Sequence, residues 1–221
     1  MKVLGIDTAT SVATVALMDD DKLIGLMTLN DKKTHSQKLM VLIESLLNQT
    51  DTTMDDIDRI AVAVGPGSFT GLRIGVTTAK ALAHGSNKPV IEISALESLS
   101  KNVIHDHVCA MMDARRDTVF TGLYGKSIVA DDQIHIDDLL ESLKSYPSVC
   151  FIGDGATKHH DRIIEVMGDS AKFAPRHLNI SSAGSLCELA FDRNEEKNYD
   201  DVHVTYLRKS QAEREYEEKQ K

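Results

Sequence analysis

One short pattern occurs twice in the chain, once near the start of each half, and it restricts the fold more than any other feature. At residues 5–17 an apolar strand pattern closes on Asp7 and is followed by a turn and a second apolar stretch. Residues 111–123 repeat this arrangement, with Asp113 in the place of Asp7. A weak internal repeat of this kind predicts two copies of one structural unit.

The first half shows three strand patterns in succession, followed by helices and strands in alternation. Strand patterns lie at 3–7, 12–18, 22–29, 59–64 and 89–93, and helical patterns lie at 34–48, at 72–84 and from 95 onward. Asp19-Asp20-Asp21 forms the turn between the second and third strands. The resulting order, β-β-β-α-β-α-β-α, is typical of the ribonuclease-H-like α/β architecture.

The second half contains fewer clear elements, so we interpret it as a degenerate copy of the first. A strand pattern lies at 148–152, and helical patterns lie at 137–145, 157–167 and 181–192. We therefore predict an α/β protein of two ribonuclease-H-like subdomains with mixed sheets flanked by helices. The predicted boundaries are 1–105 and 106–208, and a charged tail follows at 209–221.

Charge and cysteine content exclude several function classes. The formal net charge of the 221 residues is −9. A chain with this charge is a poor candidate for the main nucleic-acid-binding surface, so a protein partner is favoured. The three cysteines, Cys109, Cys150 and Cys187, form no CxxC pair, and three unpaired thiols fit a reducing compartment. No stretch approaches the ~20 apolar residues of a membrane span. We expect a cytoplasmic protein.

Four motifs carry a resemblance to a known family. They are GPGSFTGLRIG at 65–75, GIDTAT at 5–10, MDARR at 112–116 and YLR at 206–208. With these motifs the chain resembles the TsaB (YeaZ-like) family of the actin-like ATPase superfamily. Val204 departs from the pattern, because the family usually has Pro two residues before its Tyr-Leu-Arg.

The resemblance implies a function through partners. Members of this family act in the synthesis of threonylcarbamoyladenosine in tRNA, where they bind and activate a larger TsaD-type paralogue that transfers the threonylcarbamoyl group. A TsaE-type ATPase joins the assembly, and tRNA is contacted only through the complex. The family uses two N-terminal helices for pairing, and forms homodimers when the paralogue is absent. We therefore expect a non-catalytic adaptor with no membrane association.

The metal-binding chemistry of the paralogue is missing from this sequence. The TsaD-type paralogue carries a His-x-x-x-His pair on a helix, and such a pair at i and i+4 can hold a metal on one helical face. The corresponding positions here are Ala95 and Leu99, neither of which can be a ligand. The chain has no His pair at this spacing elsewhere. We predict no catalytic residues and no metal ligands, which disfavours a metallopeptidase, the third function considered.

A nucleotide-dependent phosphotransferase is the second function considered, and Asp7, Thr8 and Ser11 are its candidate cofactor-binding residues. In nucleotide-using relatives an Asp at this position orients metal and phosphate. The turn that follows contains no glycine, which hinders close approach of a phosphate. We favour the alternative, in which Asp7 is a turn residue or hydrogen-bond partner of a retained fold. We expect no intrinsic cofactor, and the sequence leaves ATP or ADP at a shared interface open.

Two helices are the candidate partner surface. Small residues at i+4 steps, from Gly71 to Ala83, suit close approach by another element, which could be the protein's own sheet. The apolar arc of the first helix is wider than the roughly 100° stripe that a surface helix needs, which indicates burial on a second side. The predicted interface residues are His35, Leu39, Met40, Ile43, Leu46, Leu72, Val76 and Lys80. Leu39→Glu or Val76→Glu is predicted to abolish partner binding and to leave the fold intact.

Overall fold

The computed structural model describes residues 1–31 and 35–207. Its first sheet has the strand order β3-β2-β1-β4-β5. These strands are β1 (Lys2–Asp7), β2 (Val12–Asp19), β3 (Lys22–Asn30), β4 (Arg59–Gly65) and β5 (Val90–Ser94). The first three strands pair antiparallel, whereas β4 and β5 continue the sheet in parallel. All five predicted strands of the first half are confirmed.

The second sheet repeats the first strand for strand. It contains β6 (His107–Asp113), β7 (Thr118–Gly125), β8 (Val129–His135), β9 (Val149–Ile152) and β10 (Ala171–Phe173). Their order, β10-β9-β6-β7-β8, follows the same path as that of the first sheet, with the same antiparallel and parallel pairings. The repeat therefore extends over the whole sheet, including β8 and β10, which the sequence analysis missed.

Seven α-helices complete the described part of the chain. They are α1 (His35–Gln49), α2 (Phe69–Ser86), α3 (Ala95–Ser100), α4 (Ile136–Leu143), α5 (Asp154–Lys158), α6 (His160–Met167) and α7 (Ala183–Phe191). α2 begins before the predicted residue 72, because the Ser68 hydroxyl caps it by accepting from Gly71 N at 3.2 Å. The predicted helix at 157–167 is divided at His159. Within residues 1–31 and 35–207, no helix combines the length and apolar character needed to cross a membrane.

Three apolar clusters show how the layers pack. α1 and α2 cover the outer face of the first sheet, and α4 and α6 cover the outer face of the second. α3 and α7 lie between the two sheets, where Leu96 and Leu186 join one cluster with residues of both sheets, such as Val3 and Ala110. Because α7 follows the second sheet in the chain yet packs against β1 and β2, the two halves share a continuous core.

The last described segment, residues 197–207, returns across the first half and is called the C-terminal strap below. It runs antiparallel to α2. Near the helix end, the Tyr199 ring lies 4.4 Å from that of His84, and Lys80 Nζ donates to the carbonyl of Val202 at 3.2 Å. Thr205 N then donates to the carbonyl of Val64 at 2.8 Å. The strap therefore packs along one flank of α2. The predicted helix start at Thr34, Arg208 and the tail 209–221 lie outside the described residues.

Candidate functional site

The first strand of each sheet ends in an aspartate, and both aspartates make the same backbone contact. Asp7 Oδ1 accepts a hydrogen bond from Ala9 N at 2.8 Å, and Asp113 Oδ1 accepts one from Arg115 N at 2.9 Å. A side chain that accepts from the backbone two residues further on shapes a tight turn. The predicted overlay of Asp7 on Asp113 is therefore confirmed in the local hydrogen bonding as well as in the sheet order.

The surroundings of Asp7 are closed. Its side chain is only 1% exposed, and within the described residues its Oδ2 atom has no hydrogen-bond partner. Burial raises the pKa of Asp7 to about 6, although the Ala9 N–H, the nearby Ser181 hydroxyl and the charge of His35 act in the opposite direction. The Asp7 carboxyl is therefore enclosed by the protein and is not presented on an open surface.

The surroundings of Asp113 are open and include a cation. Lys158 Nζ donates to Asp113 Oδ1 at 2.8 Å, and the carboxyl remains partly exposed. Partial burial acts to raise the pKa of Asp113, but the hydrogen bonds from Lys158 and from Arg115 N lower it below the ordinary value. The two equivalent aspartates therefore have pKa values displaced in opposite directions.

Helix α2 packs against the turn between β1 and β2. Thr8 Oγ1 donates to the carbonyl of Gly71 at 2.8 Å. A Cβ atom on Gly71 would lie 2.1 Å from the Thr8 carbonyl oxygen, and one on Gly75 would lie 2.4 Å from Thr8 Oγ1. Gly71 and Gly75 therefore let α2 pack against the protein's own β1–β2 turn, which was one of the two explanations left open for the small-residue stripe.

The three predicted cofactor-binding residues do not form one accessible site. Asp7 and Thr8 are buried, at 1% and 2% exposure. Thr8 contacts α2, whereas the Asp7 carboxyl lies near Ser181, just before α7. Ser11 lies on the surface, where its hydroxyl donates to Asn30 Oδ1 at 3.3 Å. The sequence placed these residues in one turn but could not show that packing would bury two of them.

Five of the predicted interface residues belong to the protein's own core, and for them the surface interpretation is wrong. Leu39, Ile43, Leu46, Leu72 and Val76 are between 1% and 4% exposed and pack among the two sheets' apolar residues. The wide apolar arc reflects the side of α1 that faces the sheet. Leu39→Glu and Val76→Glu would place a charge in that core and are unsuitable as surface variants.

Of the other three predicted interface residues, His35 and Lys80 contact backbone carbonyls of the protein, and Met40 is exposed. His35 Nε2 lies 2.8 Å from the Thr10 carbonyl oxygen, and Lys80 is bonded to the C-terminal strap. Met40 is 50% exposed, and the neighbouring Val41, which the sequence analysis did not select, is 61% exposed. We use the term outer helical face for the exposed side of α1 and α2, which contains Met40, Val41, Glu44, Thr77 and Ala81. The sequence could have identified this face from the positions of α1 that lie on the opposite side of the helix from its leucines.

The positions that replace the paralogue's His pair lie in the shared core. Ala95 and Leu99 of α3 are 0% and 2% exposed and contact residues of both sheets. Neither side chain has a donor atom for a metal. Across residues 1–31 and 35–207, no group of three or more His, Cys, Asp or Glu side chains is arranged to hold a metal ion.

A loop that begins with Gly153 follows β9 in the second half. Gly153 there has φ of 109°, and its N–H donates to Asn179 Oδ1 at 2.5 Å. A cavity of about 330 Å³ lies beside the loop, with Phe173 and His160 in its wall. Both polar ends of the Asn179 amide are already bonded, to Gly153 and Thr157, so they are not directed at a ligand.

Two matching sheets joined through α3 and α7 define an α/β protein with the actin-like ATPase fold. A solved Pseudomonas aeruginosa protein, described as similar to peptidase YeaZ, has the same fold with a TM-score of 0.79 at 23% identity, covering 94% of this chain and 99% of its own. The ethanolamine utilization protein EutJ of Carboxydothermus hydrogenoformans is more distant, with a TM-score of 0.56 at 12% identity, covering 84% and 89%. At these identities the likeness concerns the fold alone.

Sequence relatives place the chain more narrowly. The family model described as TsaD, tRNA N6-adenosine threonylcarbamoyltransferase, matches residues 22–216. The tRNA threonylcarbamoyladenosine biosynthesis protein TsaB of Bacillus subtilis is 37% identical over 235 aligned residues, covering all of both chains. TsaB of Escherichia coli is 34% identical over 128 residues, covering 56% of this chain and 55% of its own. The chain belongs to the TsaB family.

Proposed function

We propose that this protein is a non-catalytic adaptor that binds and activates a TsaD-type transferase in the threonylcarbamoyladenosine modification of tRNA. The observation that carries the proposal is the apolar identity and burial of Ala95 and Leu99, which stand where the transferase-type paralogue has its His pair. The TsaB relatives named for this biosynthesis supply the pathway. A chain of this family without those ligands contributes to the reaction by binding.

The outer helical face is the surface that we assign to this binding. Met40 and Val41 of α1 expose large apolar side chains at 50% and 61%, and Thr77 and Ala81 of α2 expose small side chains. A paralogue with the same fold presents equivalent helices, so the two faces can meet across a pseudo-two-fold axis as a four-helix bundle. In the absence of the paralogue, a second copy of this chain occupies the same face.

The resemblance to the family implies the other members of the assembly. With a net charge of −9, the adaptor contacts tRNA only through the complex. A TsaE-type ATPase supplies nucleotide turnover, and we assign any ATP or ADP to an interface with a partner. Asp7 is excluded from this assignment because its side chain is only 1% exposed.

A reconstituted modification assay tests the proposal. Transfer of the threonylcarbamoyl group to tRNA is measured with the transferase and ATPase, with and without this protein. The wild-type protein is expected to be required for transfer and to be inactive alone. Met40→Asp and Val41→Asp place a charge on the outer helical face and should abolish the stimulation.

Ile164→Asp provides the matched control. Ile164 lies on α6 of the second half and is 43% exposed, close to the exposure of Met40. This variant should stimulate transfer as well as the wild type does. Equal transfer without the protein contradicts the adaptor function, and full stimulation by Met40→Asp contradicts the assigned surface.

A further inference from the structure

Two of the sequence motifs that carry the family resemblance meet in space. Phe69 opens α2 and Tyr206 lies in the C-terminal strap, and their rings stack with centroids 4.3 Å apart and planes inclined by 10°. Arg73, one turn into α2, donates from Nε to Tyr206 Oη at 2.9 Å. Its Cζ atom lies 5.7 Å from the Phe69 centroid and 5.8 Å from the Tyr206 centroid. We call these three side chains the aromatic–arginine cluster.

The guanidinium of Arg73 is held in place but is paired with no carboxylate of the described residues. Three other arginines, Arg59, Arg162 and Arg193, each contact a carboxylate. Arg73 makes its side-chain hydrogen bond to the neutral Tyr206, and no described residue accepts from its Nη1 or Nη2 atoms. Arg73 is also exposed. An oriented, exposed positive charge therefore remains on a chain that is acidic overall.

The start of α2 adds to this positive charge. The first turn of a helix carries partial positive charge from its unpaired N–H groups, which acidic side chains commonly offset. The first turn of α2 contains no acidic residue. Both the helix and Arg73 thus favour an anion from another molecule at this point.

The geometry of the cluster selects a planar anion with two oxygens. With Nε bonded to Tyr206, the free edge of the guanidinium presents Nη1 and Nη2 side by side, which matches the two oxygens of a carboxylate. The hydrogen bond to Tyr206 and the contact with the two rings hold this edge in advance, so little further side-chain entropy is lost on binding. A lysine could supply the charge but not the paired donors.

We propose that the aromatic–arginine cluster docks an aspartate or glutamate side chain of the transferase, bound through Nη1 and Nη2 of Arg73. The inference rests on the proposed function and names a contact within it. Arg73 lies one helical turn before Thr77 and so borders the outer helical face. A protein carboxylate is favoured over an RNA phosphate because the net charge of −9 opposes long-range attraction of RNA.

Binding of the purified protein to the transferase, measured by calorimetry, tests this contact. Arg73→Gln should weaken binding about tenfold to hundredfold, and Arg73→Lys nearly as much, because the paired donors are lost. Arg176→Gln is the matched control, since Arg176 is an exposed arginine of the second half, and it should leave the Kd unchanged. Raising the salt concentration should weaken the wild type more than Arg73→Gln.

The outcomes separate this inference from the proposed function. If the wild type binds and Met40→Asp does not, unchanged binding by Arg73→Gln overturns the inference alone. If the wild type does not bind the transferase, both are overturned. A parallel titration with tRNA alone identifies a phosphate as the anion, and so overturns the inference, if the wild type binds tRNA and Arg73→Gln does not. Circular dichroism and thermal unfolding verify that the variants are folded.

Discussion

The two halves of the molecule end their first strands on the same turn but surround it differently. Asp7 and Asp113 each accept a hydrogen bond from the backbone two residues further on. In the first half, α2 packs on Thr8, the Asp7 carboxyl is buried and its pKa is raised to about 6. Around Asp113 the turn is open, Lys158 is bonded to the carboxyl and the pKa is lowered. The strand order and the turn are therefore the same in both halves. The residues packed around each turn determine whether the aspartate is buried and in which direction its pKa is displaced.

The largest loss of stability is expected from a substitution that separates α2 from the first turn. In Gly71→Ala, the added Cβ would meet the Thr8 carbonyl oxygen at 2.1 Å, so α2 must move away from β1. We expect a loss of more than about 3 kcal/mol in the free energy of unfolding, measured by urea denaturation. In Gly85→Ala on the same helix the Cβ meets nothing within 4 Å, and the gain in helix propensity should stabilise by about 1 kcal/mol. Equal effects of the two variants would show that α2 is not packed tightly on this turn.

A smaller effect concerns the pH dependence of stability, to which the two aspartates should contribute with opposite signs. The pKa of Asp7 is 3.8 in its ordinary state and about 6 when folded, so the folded state binds more protons between these values. Stability should therefore fall as the pH rises from about 4 to 6, by about 3 kcal/mol at most. Asp7→Asn keeps a neutral side chain and should be more stable than wild type at pH 7.5.

Thermal unfolding across pH 3.5–8 measures this difference. The advantage of Asp7→Asn should disappear below about pH 4, where wild-type Asp7 is protonated in both states. A constant difference between the variant and the wild type over the whole range would mean that Asp7 does not titrate as the closed turn requires.

The smallest effect is expected at Asp113, with the opposite sign. Its folded pKa is below the ordinary value, so its contribution is present above the ordinary pKa and is lost as the pH falls through the folded pKa. Because the pair with Lys158 is partly exposed, Asp113→Asn should destabilise by less than about 1 kcal/mol at pH 7. Urea denaturation of Asp113→Asn, Lys158→Gln and the double variant measures the coupling. A coupling energy of zero would show that Lys158 does not stabilise the Asp113 carboxylate, and would contradict the difference described between the two turns.

Sequence patterns predicted the first sheet well because its strands are nearly continuous apolar runs. In β1, β2 and β4 almost every side chain is buried, and Gly, Asp and Pro residues mark the ends. The strands β8 and β10 were missed for the opposite reason. Asp131 and Asp132 interrupt the apolar pattern of β8, and β10 has only three residues. The pairing of these strands is fixed by their neighbours β7 and β9.

The site was harder to predict because burial depends on what packs above a residue. The apolar arc of α1 identified the right helix but selected Leu39 and Ile43, which face the sheet, and it missed Val41, which faces solvent. The hydrogen bond between Arg73 and Tyr206 joins residues 133 positions apart. Each residue is in a motif of the sequence, yet their contact arises only when the C-terminal strap returns along α2.

The most direct test of the account is whether the buried aspartate is needed for function. The reconstituted modification assay is repeated with Asp7→Asn in place of the wild type, at matched concentrations of folded protein. If the buried Asp7 has a structural role only, stimulation of the transferase should equal that of the wild type. Loss of stimulation by a folded Asp7→Asn protein that still binds the transferase would contradict the account, because the carboxylate would then take part in the reaction.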